Sequence, residues 1–400
     1  MNRNTFIGLL IAALLALLAA VVIHYGNQPE REAAQRDALL APGLGEHLND
    51  VGSVVIKGAG NKTLATLVRG DKDWTLAEKG GYPVDGGKLR ELLLKLADAR
   101  LVEPKTANKD KYAVLGVQDI GASDAKGVEL DLKGLAQPLQ LIIGDANPHG
   151  GTYVRRVGDA QSWLTLAALG VDKNPVNWLH KDLLSIPASR IASVSLGRTD
   201  GAGVRLAKKA QGDADFSLLD VPAGREAGDA YTINGIAGTL DGLRLDDVLA
   251  SSGVKVPADA RNAQFETSDG LVFVLTNWSS DGKHYAQIGV RLDAAKANAG
   301  IDAAQGKVKA EYAKALADAE KGGSKEGKDM PIKPLAETDA GKDRVNRLAA
   351  LNEEVARLEA RLHGWTFVLP AYKAANLDKS ISELLKPAEA KPTKAKARGK

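Results

Sequence analysis

Arg190-Ile191-Ala192-Ser193-Val194-Ser195-Leu196 repeats the pattern of Asn49-Asp50-Val51-Gly52-Ser53-Val54-Val55-Ile56 much earlier in the chain. Each stretch carries a short run rich in β-branched residues and reads as a strand. Downstream of the first copy, Gly58-Ala59-Gly60-Asn61 supplies a turn. Thr63–Arg69 then forms a second strand and Trp74-Thr75-Leu76 a third, which predicts an antiparallel meander. Asp85 is placed to cap a helix whose Leu89, Leu92, Leu93 and Leu96 fall on one face, opposite Lys88, Arg90, Glu91 and Lys95. Strands follow at Val128–Leu132, Leu139–Ile143, Thr152–Val157 and Ser162–Thr165, and a short helix at Asn174–Leu184 with Pro175 in its first turn.

The second copy is matched piece by piece. Phe216-Ser217-Leu218 takes the place of Trp74-Thr75-Leu76. Tyr231-Thr232-Ile233-Asn234 takes the place of Tyr82-Pro83-Val84-Asp85 before a helix. Leu243 and Leu245 match Leu94 and Leu96, and Leu271–Thr276 with His284–Val290 supply the later strand pair. The expected fold is α+β, with two duplicated modules of antiparallel sheet plus helices at 49–188 and 189–290.

Residues 291–363 are an insertion rich in Ala, Lys, Gly and Asp. Gly306–Lys321 has helical propensity, Gly322–Asp343 looks like a flexible connection, and Asp343–His363 is a stronger helix. In that helix Leu348, Val355 and Leu362 fall seven apart, and Leu351 and Leu358 complete an a/d seam. The seam is a candidate partner contact, or it packs on its own module. Residues 364–386 return to a strand at Trp365–Leu369 and a helix near Ser380–Leu385. Residues 387–400 form a basic tail expected to be disordered.

At the other end, Phe6–Ile23 is uncharged and rich in Leu, Ile, Val and Ala, and at ~1.5 Å per residue is long enough to cross a bilayer core. Arg3 precedes it. The expectation is a transmembrane anchor over 1–26 and a juxtamembrane linker over 27–48. The amino terminus would be cytoplasmic and the bulk of the chain periplasmic, at a bacterial inner membrane. A cleaved signal peptide is disfavoured because the apolar run is long and ends in Val21-Val22-Ile23-His24.

Several of these phrases, Trp74-Thr75-Leu76, Tyr82-Pro83-Val84-Asp85, Leu141-Ile142-Ile143-Gly144, Thr152-Tyr153-Val154-Arg155, Phe265–Leu271 and Gly364–Pro370, resemble the domain-of-unknown-function family 4340 over roughly residues 50 to 385. The resemblance implies a single-anchor membrane protein of Gram-negative bacteria, encoded beside a gliding-motility-type ABC transporter. Its subunits are then the expected protein partners. The family offers no active site to carry over.

The composition narrows the chemistry. No cysteine is present, which removes disulfides, thiolate metal sites and cysteine nucleophiles. A formal net charge of +3 gives no field that selects nucleic acid. There is no Walker spacing and no Gly-x-Ser-x-Gly, and the six histidines form no close ligand pair. No catalytic, cofactor-binding or metal residue is assigned, and the expected function is non-enzymatic: a membrane-anchored accessory or scaffold protein. The alternative is a periplasmic glycan or cell-wall binding module, with Trp278 as stacking platform and Glu266 and Asp269 as its acidic contacts. Against that, Ser268-Asp269-Gly270 also has the composition of a hairpin turn.

Overall fold

The structure is a computed structural model that describes residues 13–17, 37–197, 203–210, 212–321 and 330–387. Of the expected anchor only residues 13–17 are described, as helix; the rest of that segment, most of the linker and the tail beyond Pro387 lie outside the described residues. Among the described residues no helix is long and apolar enough to cross a membrane. The fold is mixed α+β with two large antiparallel sheets. The chain divides into two compact units between His180 and Lys181, ahead of the boundary expected at 188.

The first unit carries β1 (Ser53–Gly58), β2 (Lys62–Arg69), β3 (Trp74–Leu76), β4 (Tyr82–Pro83), helix α1 (Gly86–Asp98), β5 (Leu101–Pro104), a short α2 (Tyr112–Leu115), β6 (Val128–Lys133), β7 (Leu139–Ala146), β8 (Thr152–Arg156) and β9 (Trp163–Thr165). Its sheet runs β4-β3-β2-β1-β6-β7-β8-β9-β5. The Asp85 side chain accepts the Lys88 N–H at 3.1 Å and caps α1 as expected, and Leu89, Leu92, Leu93 and Leu96 are buried. Each such burial is worth roughly 1.5–3 kcal/mol.

The second unit carries β10 (Asp182–Leu184), β11 (Ile191–Leu196), β12 (Val204–Ala207), β13 (Ser217–Leu218), α3 (Ala230–Ala237), β14 (Leu243–Arg244), β15 (Asp247–Ala250), β16 (Arg261–Thr267), β17 (Leu271–Ser280) and β18 (Lys283–Leu292). The helices α4 (Ala294–Lys321), α5 (Leu335–Thr338) and α6 (Ala340–Leu362) follow, then β19 (Trp365–Leu369) and α7 (Ala371–Leu377). Its main sheet runs β13-β12-β11-β16-β17-β18-β19-β15, the order of the first sheet strand for strand without a partner for β4. The helical insertion therefore sits between β18 and β19, where the first unit has only the short link from β8 to β9. Trp365–Leu369 is the counterpart of Trp163–Thr165 and belongs inside the second sheet.

The hydrogen bonds extend this correspondence to both ends of each unit. Before β1, Asp37-Ala38-Leu39-Leu40-Ala41-Pro42 lies along the residues that follow α1: Leu40 N donates to Ala99 O at 2.7 Å and Leu101 N to Ala38 O at 2.8 Å. Before β11, Asp182-Leu183-Leu184-Ser185-Ile186-Pro187 lies along the residues that follow α3: Ile186 N donates to Leu240 O at 3.1 Å and Leu245 N to Lys181 O at 2.9 Å. Each unit closes on a capped 3-10 turn, Pro175–Trp178 in the first and Ile381–Leu384 in the second. The residues after each turn pair with those before the helix, through Asp85 N to Trp178 O at 2.8 Å and Gly228 N to Leu384 O at 2.7 Å.

This register corrects four expectations. Asn174–Leu184 is not one helix. Asn174 caps a single 3-10 turn, Trp178 is buried with its indole N–H on Asp172 O at 3.0 Å, and the backbone then extends to pair with residues 83–85. Tyr231-Thr232-Ile233-Asn234 lies inside α3, whose cap is Asp229, rather than before it. Leu243 and Leu245 do not take the place of Leu94 and Leu96, which lie inside α1: they follow the helix, and Leu243 pairs with Leu184 in the β10–β14 ribbon. The segment near Ser380–Leu385 is a 3-10 turn rather than an α-helix, held by a capping box from Ser380 and Glu383.

Candidate functional site

Glu266 and Asp269 sit at the end of β16 and in the turn that follows. Both are committed to neighbours. Ser193 Oγ donates to Glu266 at 2.7 Å, Gln264 Nε2 at 2.7 Å and Lys296 Nζ at 2.6 Å. Burial pushes the Glu266 carboxyl up, but these three donors outweigh it and hold its pKa below the usual carboxylate value. Asp269 accepts from Thr267 Oγ1 at 2.5 Å and from Arg190 Nε at 2.9 Å. Arg190 also forks onto Glu354 of α6, with Nη1 and Nη2 on its two oxygens at 2.7 and 2.8 Å. Glu354, against the opposing effect of burial, and Asp269 raise the Arg190 pKa above the ordinary guanidinium value. The acidic pair thus ties the insertion to the sheet.

Trp278 is not brought to that pair. On β17 its neighbour Asn277 faces Arg261, at the start of β16, whereas Val272 faces Glu266 near its end. Six residues of strand put roughly 20 Å between them. Trp278 instead stacks on its cross-strand partner Tyr285, with ring centroids 5.6 Å apart and planes at 14°. One ring face is therefore covered, and the expected glycan site does not assemble.

The a/d seam faces inward. Leu351, Leu358 and Leu362 are buried, Leu348 and Val355 half-buried, and α6 packs against β18 of its own unit. Of the two alternatives for this helix, the structure supports packing on its own module. The helix of the insertion with the fewest buried residues for its length is α4. Only Ala297, Ile301 and Gln305 of this helix are buried. From Gly306 to Lys321 no residue is fully buried, and Val308, Tyr312 and Leu316 form a half-buried stripe at spacings of four on an otherwise mostly exposed helix. That half of α4 is ~24 Å long.

A groove of about 580 Å³ lies in the second unit, between the β10–β14 ribbon and the last turns of α6. Leu183, Ile186 and Leu243 line it, with Arg244 on the ribbon and Arg357 and Arg361 on the helix. Arg244 Nε is 3.0 Å from Asp182. Arg357 and Arg361 make no ion pair among the described residues, and Arg361 Nε is buried without a hydrogen-bond partner. Sequence reasoning missed these three arginines. Two belong to the polar face of an amphipathic helix, where arginines are routine, and nothing local placed the ribbon opposite them. Among the described residues no group of three or more acidic or histidine side chains could hold a metal ion.

Neither a curated protein nor a solved structure matches this chain. A family model, Domain of unknown function (DUF4340), matches residues 74–267, from β3 of the first unit to the end of β16 in the second.

Proposed function

We propose that this chain is a membrane-anchored accessory protein that works by binding a protein partner, with no catalysis of its own. In this reading residues 6–23 cross the bacterial inner membrane once and both modules lie in the periplasm. The partner is a transport or cell-surface assembly system of the ABC type. The observation that carries the reading is the asymmetry of the duplication. Two modules share one sheet order, and only the second is elaborated, by a helical insertion whose α6 packs home while the outer half of α4 has no fully buried residue. An amphipathic stripe presented on a helix is a recurrent mode of partner recognition.

The test is purification of the tagged full-length chain from detergent-solubilised native membranes, with mass spectrometry of what accompanies it. Transporter subunits at near-stoichiometric yield, lost when residues 6–23 are replaced by a cleavable signal, would support both anchor and partner. Recovery of the chain alone, or its release from membranes by alkaline carbonate, would count against the reading.

A further inference from the structure

The groove beside α6 is built of charges that its own walls do not answer. Arg357 and Arg361 stand one turn apart on the helix, ~6 Å along its axis. Two carboxylates line the groove, and each is already engaged. Asp182 pairs with Arg244, and both oxygens of Glu354 are taken by Arg190. The two helix arginines are left without a carboxylate among the described residues. The Nε of Arg361 is buried and unmet, over a floor formed by Leu183, Ile186 and Leu243. Leaving a buried donor unmet costs stability, and the more so beside apolar surface. An unexplained group of this kind in an otherwise well-satisfied interior asks for a partner. Arginine is the side chain whose fork matches an oxyanion on two atoms at once.

We propose that this groove binds a small ligand of the diphosphate class. Arg357 and Arg361 would each take one of its two oxyanion groups, and Arg244 would close the far side. The separation of the two guanidinium roots by a single helical turn is what favours two linked anionic groups over one. The groove exists only in the second module, because α6 forms one of its walls. The inference does not depend on the protein partner proposed above.

The test titrates the full chain in detergent with inorganic pyrophosphate, and in a parallel arm with glutarate, by calorimetry at constant ionic strength. The expected result is one pyrophosphate per chain, weakened at least ~10-fold by Arg357→Gln and by Arg361→Gln. A third variant separates ligand binding from folding. Arg361→Met deletes a donor that has no partner, so it should abolish binding while the thermal midpoint stays level or rises. Glutarate binding alone, with the same sensitivity to the variants, would keep the site and replace diphosphate by dicarboxylate. The proposal is overturned if neither anion binds up to ~10 mM, or if both bind the variants as well as the wild type. A large fall in the thermal midpoint of Arg361→Met would overturn it too, by making that arginine structural.

Discussion

Arg190, just ahead of the first sheet strand of the second module, holds Glu354 of the insertion by a two-pronged guanidinium–carboxylate pair at 2.7 and 2.8 Å. Each side chain is 24% exposed, so the pair is only partly screened by water. Arg190→Ala would strand Glu354 and Asp269 together and should cost about 2 kcal/mol, below the range for a fully buried pair. Arg190→Lys should recover little, since an ammonium cannot span both carboxylates. Urea unfolding of the two variants measures both effects.

The turn after β16 approaches α4 so closely that only glycine fits. Gly270 has φ +94°, and a Cβ there would lie 2.5 Å from Ala297 N; one on Gly300 would lie 2.5 Å from Ser268 O. Gly270→Ala must therefore move backbone and should cost about 3 kcal/mol. Gly282, in the open turn between β17 and β18, has φ +71° with nothing within 4 Å. Gly282→Ala should cost only the ~1–2 kcal/mol of a left-handed backbone. Comparing the two denaturation midpoints separates crowding from strain.

The corrected register of the repeat predicts two equivalent caps. Asp85 accepts the Lys88 N–H and Asp229 the Thr232 N–H, at 3.1 and 3.0 Å. Asp85→Ala and Asp229→Ala should each cost about 1 kcal/mol, read as faster amide exchange in α1 and α3 respectively. Were Tyr231–Asn234 to precede the second helix, Asp229→Ala would leave its exchange unchanged.

The closing turn of the second module gives a pH dependence. Ser380 donates to Glu383 from its hydroxyl and its backbone N–H, and holds the carboxyl at about 2, below its ordinary 4.5. A depressed folded pKa gives stability that is complete above the unfolded value and is lost as pH falls from about 4.5 through about 2. Glu383 is largely exposed, so the contribution is under about 1 kcal/mol. Glu383→Gln should be slightly less stable than wild type at pH 7, and the two should converge near pH 2 in urea titrations.

How much of this was legible in the sequence depended on the range of the interaction. The strands at 53–69 and 271–290 and the capped helix after Asp85 were found because periodicity and capping are local. The repeat was found in outline from Arg190–Leu196, but its register slipped. Alignment by leucines set Leu243 against Leu94, inside α1, whereas its backbone pairing with Leu184 places it past the helix, like the pairing of Arg100 with Leu39. The residues from Asp37 to Pro42 and from Asp182 to Pro187 begin the two copies, yet only long-range hydrogen bonds reveal that role. That Glu266 and Asp269 are held by basic side chains was not legible because Arg190 and Lys296 are distant in sequence. The groove arginines were missed for the same reason.

The central claim is that the chain acts by holding a partner on the outer half of α4. The most direct measurement compares the wild type with a Val308→Glu, Tyr312→Glu, Leu316→Glu triple variant, both purified from native membranes and scored for co-purifying protein. The account predicts that the variant loses the partner while still unfolding cooperatively in urea, at a midpoint lowered by the loss of three half-buried apolar side chains. The same partner at the same yield from both would contradict it.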